Sequence, residues 1–177
     1  MAHPIQQQWC VQIRKRFPEY FTKKRVLDVG SLDINGNNRH LFVNCEYVGL
    51  DVAPGKNVDV VSVAHRYDVP NESFDVVLST NALEHDMYYP MTLQKMCAVL
   101  KREGLMFFSV AHSWHEHGTL RFAPSDSGTT QMSPEWGSYY KNLNEVDVRG
   151  ALDLDDVFRA YQMGVQVNDL QFWGIKK

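Results

Sequence analysis

The stretch Arg25-Val-Leu-Asp-Val-Gly-Ser-Leu-Asp-Ile-Asn-Gly36 constrains the fold of this chain more than any other. A short apolar run carrying one carboxylate empties into a polar loop with glycine at both ends. The pattern predicts a buried strand, then a tight ligand-facing turn, then a helix. In an open α/β sheet, ligands bind just past the carboxyl ends of such strands. A first strand of this kind predicts an acid about twenty residues on, at the end of the second strand, to hold ribose hydroxyls. Glu46-Tyr-Val-Gly-Leu-Asp51 fits, with Asp51 placed 51 − 30 = 21 residues after Gly30.

Three further segments extend the pattern in order: Val48-Gly-Leu-Asp51, Ser73-Phe-Asp-Val-Val-Leu-Ser-Thr-Asn-Ala-Leu-Glu-His85 and Leu100-Lys-Arg-Glu-Gly-Leu105. Together with Val26-Leu-Asp-Val-Gly30 they resemble the class I S-adenosylmethionine-dependent methyltransferases, most closely the small-molecule "type 11" group. The resemblance runs from about residue 25 to residue 111. It implies an α/β fold, a Rossmann-like doubly wound and mostly parallel sheet in a single domain. It also implies S-adenosylmethionine as cofactor, S-adenosylhomocysteine as product, and methyl transfer to a small or medium-sized acceptor by in-line displacement. The alternative is a methyltransferase-like domain that binds cofactor or a partner without turnover. A nicotinamide-dependent oxidoreductase is a weaker third reading, since the G-x-G-x-x-G fingerprint is absent.

The resemblance carries specific roles. The glycine loop departs from the family, with Leu32 and Ile34 where glycines usually alternate. A wider turn is expected, with Gly30, Ser31 and Asp33 facing the methionine end and either Asp28 or Asp33 binding its ammonium group. Asp51 would accept from both ribose hydroxyls, and Val52 would present an apolar edge to adenine. Relatives often place an acid after the third strand, Val58–Val63 here; Ala64 offers none, so the adenine contact falls to backbone or to His65. Thr80 and Asn81 follow the fourth strand and complete the cofactor-binding set, with Asn81 also placed to touch substrate. In quinone-pathway relatives an acid at the Asn81 position joins the Glu-His pair around a metal ion. With Asn81 there, Glu84 and His85 are expected to hydrogen-bond to each other and fix the start of the next helix, with no metal.

Outside these motifs, Trp9, Ile13 and Phe17 form one face of a helix over residues 5–17, ended by Pro18. That helix either covers the cofactor or packs on the sheet. Leu93, Met96, Cys97 and Leu100 predict a second helix over 89–101, and Leu105–Ala111 a central strand. Residues 112–150 lack periodicity, yet Trp114, Phe122, Trp136, Tyr139 and Tyr140 are costly to leave in water. The segment is expected to fold over the mouth of the site as an acceptor-side lid. Its His112-Ser-Trp-His-Glu-His117 cluster fits no standard zinc spacing. If the acceptor carries a hydroxyl or ammonium, a base is needed, and His117, His112 and His85 are the candidates, with His115 behind them. Residues 151–177 are expected to supply a helix, with Leu154, Val157, Phe158 and Tyr161 as its buried stripe and Gly164 at its end. The strand Leu170–Ile175 follows, so that the sheet is shortened at its C-terminal edge.

Composition narrows the partners. A formal charge of −3 argues against a large nucleic-acid footprint. No apolar run approaches the roughly 20 residues that span a bilayer. Three scattered cysteines inside apolar patterns, without a signal-like N-terminus, point to a reduced protein of the cytoplasm.

Overall fold

The computed structural model describes residues 4–177. Short apolar runs bounded by turn residues become the strands β1 (Arg25–Val29), β2 (Glu46–Asp51), β3 (Val60–Val61), β4 (Phe74–Thr80), β5 (Leu100–Ala111), β6 (Phe158–Gln166) and β7 (Asp169–Lys176). They form one sheet in the order β3-β2-β1-β4-β5-β7-β6. The first five are parallel; β7 runs antiparallel to β5, and β6, antiparallel to β7, forms the far edge. The chain order reverses between β1 and β4, which opens a crevice past the carboxyl ends of β1, β2 and β4. Gly30, Asp51 and Asn81 stand at or just beyond those ends.

Alternate strand residues feed two apolar layers. On one face Val26, Val76, Leu78, Leu105 and Phe107 meet Trp9, Cys10 and Ile13 of helix α1 (Pro4–Arg16). The predicted stripe therefore exists, although Phe17 lies past the helix and its ring packs on Trp173 at 4.9 Å. On the other face Leu27, Val29, Val77, Met106 and Phe108 meet Leu93, Met96 and Val99 of helix α2 (Tyr89–Val99). Leu100 begins β5 rather than closing α2, because it pairs with Phe74 across the sheet.

Three expectations are corrected. No helix follows the glycine loop: between β1 and β2 only Arg39–Leu41 makes a single 3-10 turn. Asp33 is the reason, since its carboxylate accepts from the Gly36 amide and the Asn37 side chain, a local alternative to helical pairing. The third strand keeps only Val60–Val61 of the expected six residues. The helix expected over 153–161 is also absent beyond one turn.

Residues 112–157 carry three short helices, α3 (Pro134–Gly137), α4 (Glu145–Ala151) and α5 (Leu154–Val157), after which the chain becomes β6. From Tyr161 the apolar residues alternate through Met163 to Val165, a strand period, and Gly164 sits within the strand opposite Gln171. A tight turn at Val167-Asn168, with Val167 at φ 56°, joins β6 to β7. The hairpin completes the sheet, so its C-terminal edge is not shortened. Among the described residues no helix is long and apolar enough to cross a membrane.

Phe108 and Phe172 are register partners on β5 and β7 whose rings stack at 5.0 Å, both fully buried. Phe172→Ala should lower the unfolding free energy by about 3–5 kcal/mol. Urea unfolding monitored by circular dichroism checks this, and a change within about 1 kcal/mol would mean the hairpin is not anchored through this pair.

Candidate active site

The crevice past β1, β2 and β4 holds a cavity of about 70 Å³ lined by Gly30, Asp51, Val52, Ala64, Asn81 and His85, among others. Gly30 stands at φ +78°, and a Cβ there would lie 2.2 Å from the Ala82 Cβ, so only glycine lets the β1 and β4 loops approach this closely. Asp51 is buried and turned inward: one carboxylate oxygen accepts from the Leu32 amide at 3.0 Å, the other from the Ala53 amide at 3.1 Å. Burial raises its pKa and the backbone amides oppose that rise.

The segment Ser127-Gly128-Thr129 lies directly over this carboxylate. A Cβ on Gly128 would stand 2.7 Å from Asp51 Oδ1 and 2.9 Å from the Ala53 Cβ. Ser127 and Thr129 hydroxyls pair at 2.8 Å beneath the surface. These residues carry no hydrophobic pattern, and sequence reading did not single them out.

The remaining expected cofactor residues divide. Ser31 is buried and donates to the Asn57 carbonyl at 3.1 Å. Asp33 faces away from the cavity. Its ion pair with Lys56 at 2.7 Å, with the Asn37 and Gly36 bonds, holds its carboxyl below the usual range. Thr80 accepts from the Asn38 side chain at 3.2 Å. His65 packs against Tyr88 at 4.9 Å with the rings tilted at 54°, outside the cavity lining. Asn81 does line the cavity, at φ 47°, but its side chain is engaged within the protein. Its Oδ1 accepts from Gln6 at 3.0 Å and Ser109 at 2.8 Å, and its Nδ2 donates to Asp169 at 3.3 Å. Gln6 and Asp169, neither expected, thus fix the tip of β4; no pattern in the sequence marks them.

At the other end of the cavity, Glu84 and His85 do not hydrogen-bond to each other. Both carboxylate oxygens and both ring nitrogens are buried without a hydrogen-bond partner. Burial raises the Glu84 pKa to about 7. It also holds His85 well below the ordinary histidine value, with His117 nearby adding to the effect. The His117 ring is 5.2 Å from His85, and Tyr140 is 5.5 Å from it. Trp136 closes this end, its Nε1 donating to the His85 carbonyl at 3.0 Å. His112 stands apart, its Nδ1 paired with the Leu143 carbonyl at 3.0 Å. The structure therefore brings His85 and His117 together and leaves His112 out.

Asp28 points to the opposite face of β1, where Tyr47 donates to it at 2.6 Å and its other oxygen has no partner. Desolvation raises its pKa to about 7 from an ordinary 3.8, so the folded chain keeps a proton that the unfolded chain loses. The linkage slope is then negative: this carboxyl lowers stability as pH rises from about 4 to about 7, and adds no slope above that. Asp28→Asn removes the proton equilibrium and keeps an acceptor for Tyr47. Its stability relative to the unchanged chain should rise by a few kcal/mol between pH 4.5 and pH 7.5. Urea titrations at both pH values test it, and a pH-independent difference refutes it.

Comparison with known proteins agrees with this architecture. The Haemonchus contortus phosphoethanolamine N-methyltransferase 2, solved with S-adenosyl-L-methionine, superposes with a TM-score of 0.67 over 96% of this chain at 15% identity. This chain spans about half of that protein, 52% of its length. The Burkholderia thailandensis 1,6-didemethyltoxoflavin-N1-methyltransferase matches with a TM-score of 0.60 over 100% of this chain and 92% of its own, at 14% identity. The N-methyltransferase NodS of Bradyrhizobium japonicum gives 0.61 over 99% and 89%, at 14% identity. A search of curated proteins found no match. At these identities the superpositions speak for the Rossmann-like fold of class I methyltransferases. The sequence profile described as "Methyltransferase domain" matches residues 1–142, most of the chain, and the protein belongs to that family.

Proposed function

We propose that the protein transfers a methyl group from S-adenosylmethionine to a small or medium-sized acceptor by in-line displacement, releasing S-adenosylhomocysteine. The observation that carries this reading is the placement of Gly30 and the inward carboxylate of Asp51 at the ends of adjacent parallel strands, both facing one cavity. The solved relatives named above include one with S-adenosyl-L-methionine and two with S-adenosylhomocysteine. A carboxylate has about four lone-pair sites. The Leu32 and Ala53 amides use two and orient the group, leaving the others for vicinal ribose hydroxyls.

A Cβ on Gly128 would stand 2.7 Å from Asp51 Oδ1, so Ser127–Thr129 cover the carboxylate that a ribose would approach. Cofactor binding therefore requires that segment to lift. Residues 112–150 act as a lid over both ends of the site, and closure after binding excludes water from the transfer. Alignment of nucleophile, methyl and departing sulfur supplies much of the acceleration. At the acceptor end, the neutral imidazole of His85 has one lone-pair nitrogen to offer a proton of the acceptor, with His117 beside it. An acceptor hydroxyl or ammonium loses its proton there; His112, tied to Leu143, takes no part.

The altered glycine loop, with Leu32 and Ile34 at the usual glycine positions, and the lack of an acid at Ala64 favour a second reading, a methyltransferase-like domain that binds cofactor or a partner without turnover. The free thiols of Cys10, Cys45 and Cys97 support a reducing compartment such as the cytoplasm, and a net charge of −3 supports a small-molecule rather than a nucleic-acid partner.

Calorimetry with S-adenosylmethionine and S-adenosylhomocysteine tests both readings. Binding of each is expected, and Asp51→Ala should weaken it at least about tenfold, or about 1.4 kcal/mol. Binding of neither refutes cofactor use, and undiminished binding to the variant places the ribose elsewhere. Binding without transfer to any of a broad panel of hydroxyl, amine and carbon acceptors would favour the second reading.

A further inference from the structure

Glu84 is fully buried and His85 nearly so, at 0% and 2% exposure, and none of their four side-chain polar atoms has a hydrogen-bond partner. Buried polar groups are nearly always satisfied, and each exception calls for a reason. Removing such a group from water without a partner costs about 1–3 kcal/mol, more for a charge. Side chains of this kind, brought together on one short turn, are unexplained by packing.

A third side chain shares the spot. His117 arrives from the 112–150 segment, and one donor atom from each of Glu84, His85 and His117 lies within 4.8 Å of the others. The Nδ1 of His117 pairs with the His115 carbonyl at 3.0 Å, which fixes that nitrogen as the N–H and leaves Nε2 as a lone pair. Metal-bound histidines commonly donate their other ring nitrogen in this way. Close approach is built in: Gly118 stands at φ +59°, and a Cβ there would fall 2.6 Å from the His85 Cε1. Any other residue would push the loop carrying His117 off His85. The Asn81 side chain, by contrast, is spent on Gln6, Ser109 and Asp169 and offers nothing to this cluster.

We propose that Glu84, His85 and His117 form a binding site for a divalent transition-metal ion, of which Zn²⁺ is the representative. Two imidazoles and one carboxylate suit borderline ions of this class and not calcium or magnesium, which favour all-oxygen shells. Bonds of about 2.1 Å in a tetrahedral arrangement bring donors to roughly 3.4 Å from one another, a contraction that rotation of the half-buried His117 supplies. Three protein donors leave one position open, and one of the three, His85, lines the cavity. Where the methyl-transfer reading holds, the open position would take an oxygen of the acceptor, and the electron pairs of His85 and His117 would act through the ion. The site itself does not depend on that reading.

Metal binding is therefore measured without cofactor or acceptor. The full chain is stripped with chelator and dialysed against Zn²⁺ or Co²⁺, and bound metal is counted by mass spectrometry, with the visible spectrum recorded for Co²⁺. One ion per chain is expected, with the intense visible absorption of four-coordinate cobalt. His117→Ala and Glu84→Gln should each lower the affinity at least about a hundredfold, and His40→Ala, an exposed histidine elsewhere, should leave it unchanged. Glu84→Gln keeps the buried shape and His117 lies on a loop, so circular dichroism should show both variants folded. If Glu84→Gln fails to fold, His117→Ala alone decides. No retained ion, or retention equal in His117→Ala and the unchanged chain, overturns the proposal. Failure of cofactor binding in calorimetry would leave the metal result standing, and the reverse also holds.

Discussion

Two backbone amides bonded to one buried carboxylate hold the business end of this sheet together. Asp51 closes β2, and through Leu32 and Ala53 it ties down the loop after β1 and the turn after its own strand. Charge-assisted bonds of this type are the stronger class, and burial raises their worth. No helix follows Gly30 to anchor the chain, and backbone bonds from Gly30 and Ser31 to the Leu50 carbonyl and from Asp33 to the Lys56 carbonyl share the task. The Asp33 turn and the bonds from Arg39 to Asn57 and Asp59 do the rest of that work. A family that usually stabilises this loop with a glycine-rich turn and a helix is here represented by a web of short polar side chains.

This substitution shows what could be read in the sequence and what could not. Strand ends were legible, because buried parallel strands are apolar runs and their last residues fall at turn signals; Gly30, Asp51 and Asn81 all stand where expected. The helix after β1 was expected from the strand-and-glycine-loop pattern, although Asp33-Ile-Asn-Gly-Asn-Asn38 is rich in residues that bond to their own backbone. That signal was available, and it also explains why Asp33 braces a turn instead of facing a ligand. At the other end, Leu154, Phe158 and Tyr161 satisfy a helical stripe, but Tyr161, Met163 and Val165 satisfy a strand as well, and the hydrogen-bonding edge left by β7 decides between them. Ser127–Thr129 could not have been placed, because small polar residues carry no periodicity and their position over Asp51 follows from the path of a long loop.

Within the loop from 112 to 150, two glycines make close approaches that no other residue would allow. Gly118 lies against the His85 ring and Gly128 against the Asp51 carboxylate, each so close that a Cβ would collide. Ten residues apart in sequence, Gly128 lines the cavity at Asp51 and Gly118 backs the His85 ring that lines it further along. Trp136, bonded to the His85 carbonyl, and Thr119, bonded through its backbone to Phe122, stiffen the stretch between and after them. A segment joined this way does not open at one end without strain at the other. Under the proposed function, the segment that would lift from Asp51 is the same one that carries His117 and rests against His85.

That coupling gives the unpartnered donors a physical logic. With the lid down, Glu84 and His85 are cut off from water and held apart from each other, which is costly. With the lid up, solvent could satisfy them, so the closed form as it stands is disfavoured by these groups. Something must offset that cost if the closed form is to persist, and among the described residues no side chain hydrogen-bonds to them. A cation shared with His117 would offset it, and since His117 rides on the lid, the same ion would latch the lid shut. Closure of the cofactor end would then be strengthened by occupancy of the histidine end, through one continuous segment rather than through the sheet.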